Sequence, residues 1–144
     1  MKTRLSELMF RPSTIEKLHP LDPVYRMEQL STLEDNWDHE GALAPHKNGM
    51  EWLTEFFRHY PPKLRPPYIS PWEENIISVE WNKDNHPLRL AMDIDIDSHV
   101  MEGIIRYSDG SKETREVRWN LDNSEDLEEL YRVLEEFGGS FVDE

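Results

Sequence analysis

Asp93, Asp95 and Asp97 recur at every second position of LRLAMDIDID, so a strand would set them on one side and Ile94 and Ile96 on the other. Neighbouring carboxylates in such a row stand about 6.5–7 Å apart. Two of them can share a hard cation if a loop or second strand adds oxygen ligands. A calcium loop needs turning backbone with glycine, however, and this run reads as regular strand. The expectation is therefore a negatively charged stripe that faces solvent or a basic partner. A second cluster lies in LEDNWDHEGALAP, Leu33 to Pro45, where Asp38, His39 and Glu40 are consecutive. Joined to the aspartate row, it would define the competing reading, a small metal-assisted hydrolase. The third cluster is Glu125, Glu128, Glu129, Glu135 and Glu136, in a segment that holds nine acids against one arginine from Leu121 to Glu144. A solvated helix face accounts for it, and it supplies much of the chain's charge.

Other chemistries lack their residues. The six histidines, His19, His39, His46, His59, His86 and His99, form no HExxH pair, and His46 and His59 fall too far apart along one helix to share a metal. There is no GxSxG elbow, no SxxK pair and no glycine-rich phosphate loop. The absence of cysteine removes disulfides, thiolate zinc sites and cysteine nucleophiles together. No catalytic residue, metal site or cofactor is assigned.

The net charge of −14 repels phosphate backbones, which argues against direct nucleic-acid binding and in favour of basic protein partners. Carboxylates spaced along a strand and a helix could also imitate the phosphates of a nucleic acid. Exposed aromatics such as Trp72 or Trp119 would supply anchors for such an interface. No apolar run approaches a membrane span and no secretion signal is visible, so the expected location is the cytoplasm.

The elements that must position these groups follow from periodicity. Residues 1–20 read as an N-terminal arm and 21–144 as one domain. Asp22 and Pro23 start a helix whose stripe runs through Met27, Leu30 and Leu33 to Trp37. A second helix in HKNGMEWLTEFFRHY presents Met50, Leu53, Phe57 and Tyr60, and ends at Pro61 and Pro62. PPKLRPPYISPW, with five prolines, reads as an extended strap. The period then drops to 2 through NIISVEWN, LRLAMDIDID, VMEGIIRY and KETREVRWN, which predicts a four-stranded antiparallel meander with one buried face. DNSEDLEELYRVLEEF closes the chain as a helix with Leu127, Leu130, Tyr131, Leu134 and Phe137 inward. The fold class is α+β.

Asn36, Trp37, Asp38, Gly41, Ala42 and Pro45, followed by Glu80 and Trp81 in ISVEW, resemble a family of small uncharacterised bacterial proteins. Members carry an N-W-D-G-x-G-A-like helix corner, a proline-rich connector and a strand ending in E-W. The resemblance spans roughly Met27 to Ile96, with His39 standing where the family has glycine. It implies an accessory protein in a toxin–antitoxin or mobile-element setting, from a family with no agreed catalytic residues. The corner residues Trp37, Asp38, Gly41, Ala42 and Pro45 are expected to join two helices.

Together these features point to a non-enzymatic acidic module that inhibits or neutralises a basic protein, as an antitoxin, immunity protein or phage anti-defence inhibitor does. A structural subunit of a larger complex is the bland alternative. Its expected contact residues are Asp93, Asp95, Asp97, Glu128, Glu129, Glu135 and Glu136. An exposed edge strand could also pair with a second copy of the chain.

Overall fold

The computed structural model describes residues 22–138, and the arm read over 1–20 lies outside them. Helix α1 (Pro23–Leu30) begins as its residues dictate: the Asp22 side chain accepts the Tyr25 N–H at 3.1 Å, and Pro23 occupies the first turn. It ends earlier than the apolar stripe implied. Ser31 Oγ and Thr32 Oγ1 donate back to the carbonyls of Met27 and Gln29, at 2.8 and 2.7 Å, and the backbone leaves the helix there. Trp37 is therefore not the last core residue of α1. It sits in the following turn and packs with Ala42 and Leu33 in a small cluster of their own.

Helix α2 (Lys47–Arg58) buries Met50, Leu53 and Phe57. Gly49 lets it lie directly against Ile96, because a Cβ there would fall 2.5 Å from Ile96 Cγ1. The chain then crosses the molecule as a strap in which Leu64, Arg65, Pro66 and Pro67 are all buried.

The sheet has five strands rather than four. β1 (Tyr68–Glu73) occupies the second half of the proline-rich strap. It is followed by β2 (Ile76–Trp81), β3 (Leu88–Asp95), β4 (Val100–Tyr107) and β5 (Arg115–Asn120), all antiparallel and in the spatial order β1-β2-β3-β4-β5. Proline is tolerated in β1 because the strand is an edge. Tyr68 and Ser70 oppose Glu80 and Ser78 of β2, so Pro71 turns its missing N–H outward, where no ladder bond is lost. Strand β3 also stops at Asp95, so Asp97 belongs to the turn over Ile96–His99 and not to the aspartate row. Helix α3 (Ser124–Leu134), capped by the Asn123 side chain on Asp126 N, runs into a 3-10 turn, Glu135–Phe137, that ends at Gly138 with φ +86°.

All three described helices cover the same side of the sheet. Ile77, Val79 and Trp81 of β2, Leu88 to Ile94 at alternate positions of β3, and Met101, Ile105 and Trp119 form one cluster with Met27, Leu53, Phe57, Leu130, Leu134 and Phe137. The architecture is thus α+β, with one helix layer on one antiparallel sheet and no described helix on the other sheet face.

Trp81 fastens the strap to this core. Its indole Nε1 donates to the Arg65 carbonyl at 3.0 Å and to Tyr60 Oη at 3.1 Å, while Tyr60 donates its own hydroxyl to the same carbonyl. Burial raises the Tyr60 pKa above the usual tyrosine value; the Trp81 hydrogen bond opposes that rise and nearby Tyr131 adds to it. Tyr107 is pushed up to about 12 by desolvation and by its hydrogen bond to Glu136. Both phenols hold their protons more tightly folded than unfolded, so the stability they contribute is intact below pH ~10, the unfolded tyrosine value, and is lost as pH rises through the folded values. The urea midpoint should accordingly fall between pH ~10 and ~12, and Tyr60→Phe with Tyr107→Phe should flatten that fall. An unchanged pH slope in the double variant would assign the loss to other groups.

Candidate partner-binding face

The open face is assembled by the ladder register. One row runs Tyr68, Glu80, Ala91, Ile104, Glu116 across the five strands, and the next runs Ser70, Ser78, Asp93, Glu102, Arg118. Ile104 is 43% exposed at the middle of the first row, beside exposed Ala91. Glu80 and Glu116 flank that apolar pair along the row; Glu102, two residues from Ile104 on β4, and Asp93, two from Ala91 on β3, flank it in the next row. The result is an apolar centre in a charged rim, the usual layout of a protein-binding patch. Arginines moderate the field: Arg118 Nε lies 3.8 Å from Glu102 Oε2, and Arg106 is exposed, whereas Arg89 folds back onto the carbonyls of His86 and Leu88.

The expected contact residues do not share one surface. Asp93 is on the open face, half-buried, and accepts the Ser78 hydroxyl at 2.7 Å. Asp95 is on the same face but turned to the hairpin end, where Oδ1 accepts the N–H groups of Asp97 and Ser98 at 2.9 and 3.1 Å. Asp97 lies 2.8 Å from His46 Nδ1, at the N-cap of α2. The helical acids belong to the opposite layer. Glu129 accepts Trp119 Nε1 at 2.9 Å and Glu136 accepts the Tyr107 hydroxyl at 2.7 Å, so both tie α3 and its 3-10 turn to the sheet. Glu128 and Glu135 are exposed there. Trp119, expected at the surface, is 2% exposed, and Trp72 is half-buried. The strand carboxylates and the helix carboxylates thus lie on opposite sides of the sheet.

The corner between α1 and α2 is a self-bonded turn. Asp38 is buried and its Oδ1 accepts the N–H groups of Glu40 and Ala42 at 2.9 and 3.0 Å. Asn36 Oδ1 accepts Gly41 N–H at 2.8 Å, and Trp37 Nε1 donates to the Leu43 carbonyl at 3.1 Å. Asn36, His39 and Gly41 have φ of +66°, +60° and +88°. His39 thus adopts the left-handed conformation that glycine takes most readily. Pro45 directly precedes His46, the N-cap of α2. His39 and Glu40 are exposed on this turn, while the Asp38 carboxylate is turned inward onto backbone amides. Among the described residues, no three histidine, aspartate or glutamate side chains converge as metal ligands would. Asp38, His39 and Glu40 form no such ligand set with Asp93, Asp95 and Asp97 among the described residues.

Ile104, Glu102 and Glu116 are not among the expected contact residues, and Glu80 enters there only through the E-W motif. Their signal was present: in VMEGIIRY, Glu102, Ile104 and Arg106 alternate against Met101, Gly103 and Ile105, so an isoleucine stands among charges on the outward phase.

No family model matches this chain, and no curated protein and no solved structure matches it either. No helix among the described residues is long and apolar enough to cross a membrane.

Proposed function

We propose that the chain is a non-enzymatic acidic binding module whose open sheet face docks on a basic protein and so inhibits or neutralises it, in the manner of an antitoxin, immunity protein or phage anti-defence inhibitor. The observation that carries this reading is the Ile104–Ala91 centre, exposed on the sheet face away from the described helices and rimmed by Glu80, Asp93, Glu102 and Glu116. Strands β2 and β5 are three ladder spacings apart, so Glu80 and Glu116 bracket the apolar centre across about 14 Å. A partner that places an apolar side chain between lysines or arginines at that spacing complements the row. The charge of −14 speeds encounter with such a surface, and the apolar centre holds it.

A photo-reactive phenylalanine analogue at position 104, compared with one at position 128, tests the reading in the native host. A basic protein should cross-link at 104 and not at 128. With that partner purified, Glu80→Lys combined with Glu102→Lys should weaken binding by about tenfold or more, equivalent to ~1.4 kcal/mol, whereas Glu128→Lys with Glu135→Lys should leave it nearly unchanged. Cross-linking confined to 128, or unaltered affinity of the strand variant at low salt, would move the site off the sheet.

A further inference from the structure

The two edges of the sheet are treated differently. On β1, the outward carbonyl of Ile69 is taken by Arg26 Nε at 2.8 Å, Pro71 has no N–H, and a bulge at Pro71/Glu73 breaks the register. This edge cannot receive another strand. β5 has no proline and no bulge. Leu121 N–H bonds inward to the His99 carbonyl and Asn120 N–H bonds outward to Asp126, so by alternation Glu116 and Arg118 present their backbone N–H and C=O groups outward. Both residues are exposed, and among the described residues no side chain caps those groups.

We infer that the β5 edge is a self-association surface and that its occupant is a second copy of this chain, paired antiparallel about Val117. In that register Glu116 of each copy faces Arg118 of the other, and these are the residues with outward backbone groups, so each opposed pair exchanges two N–H···O bonds. Four backbone bonds and two opposite-charge cross-strand pairs form together, and the two Val117 side chains meet on the helix side. A register shifted to oppose Arg118 with Arg118 would set like charges against each other. Asp126 already occupies Asn120 N–H, which limits the pairing to this short segment. Arg118 then lies between Glu102 of its own chain and Glu116 of the second copy, and the open faces of the two copies join into one ten-stranded surface. This inference concerns the isolated chain and does not depend on the basic-partner reading.

Sedimentation equilibrium on the full chain tests it, at salt of ~0.15 M or more so that the charge of −14 per copy is screened beyond ~8 Å. The wild type should show a concentration-dependent species of twice the 17.2 kDa chain mass. Glu116→Arg alone and Arg118→Glu alone should each be monomeric, because each makes the facing residues alike. An equimolar mixture of these two variants should recover the dimer, since every facing pair is then opposite in charge. Arg118→Pro, which removes an outward N–H and leaves the ladder to β4 intact, should also be monomeric with an unchanged circular dichroism spectrum. A wild type that stays monomeric at millimolar concentration overturns the inference. So does a dimer that survives all three variants, or a mixture that fails to associate.

Discussion

Gly103→Ala is expected to destabilise the fold by about 3 kcal/mol or more, lowering Tm by roughly 10 °C. Gly103 lies in the middle of β4, opposite Met92 in the pairing where strands approach most closely. A Cβ built there falls 2.1 Å from the Ala91 carbonyl oxygen, 2.7 Å from Met92 Cα and 2.9 Å from Met92 Sδ. Two of these three atoms are backbone, so no rotamer change relieves the collision, and β3 and β4 must separate at the centre of the sheet. The usual gain from replacing glycine in a strand, up to ~1 kcal/mol, has the opposite sign and is smaller. The double variant Met92→Ala/Gly103→Ala discriminates the cause. It should remain at least as unstable as Gly103→Ala, and recovery in urea melts would place the conflict in the Met92 side chain instead.

Trp81→Ala should cost about 3–5 kcal/mol, the range for truncating a fully buried large aromatic. Trp81 is 1% exposed, and its nitrogen holds the strap at the Arg65 carbonyl. Trp81→Phe separates the two contributions. It keeps most of the buried ring, and the Arg65 carbonyl still accepts from Tyr60, so the cost should shrink to about 1–2 kcal/mol, mainly the lost hydrogen bonds. Equal losses for both substitutions, measured by urea midpoints, would show that the indole N–H and not the buried volume fastens the strap. For a domain of this size either Trp81→Ala or Gly103→Ala removes a large share of a total stability of ~5–15 kcal/mol.

Elements whose local pattern agrees with their environment were legible in the residues. Leu88, Leu90, Met92 and Ile94 alternate strictly, and they are the buried face of β3. Asp22 with Pro23, and Asn123 ahead of Glu125 and Asp126, mark helix starts that the structure reproduces. β1 was hidden because Pro66, Pro67 and Pro71 are read as extended connector, and only the pairing partner shows that Pro71 sits on an outward phase. The end of α1 was hidden because Leu33 and Trp37 continue a helical spacing while the hydroxyls of Ser31 and Thr32 divert the backbone. At the candidate site, alternation separates inward from outward residues within one strand. It marks the apolar face that the helices cover, but it does not show within one strand that a helix's solvent face then lies on the far side of the sheet from the outward strand residues. Asp93 and Glu128 therefore looked like neighbours on one acidic surface, and they lie on opposite layers. The outward phase of Ile104 is legible within β4, but the row it shares with Glu80, Ala91 and Glu116 exists only once the strands are in register.

The β1-β2-β3-β4-β5 order has a bearing on how the chain reaches this state. Every ladder joins strands that are consecutive in the chain, with connections as short as Glu74–Asn75 between β1 and β2. Closing each hairpin spends little loop entropy, and no strand must wait for a distant partner before it can pair. The helices differ in this respect: α1 and α2 precede the sheet and α3 follows it, yet all three seal the same cluster. The meander can therefore zip together locally, while the core is completed only when the two ends of the described chain converge on one face.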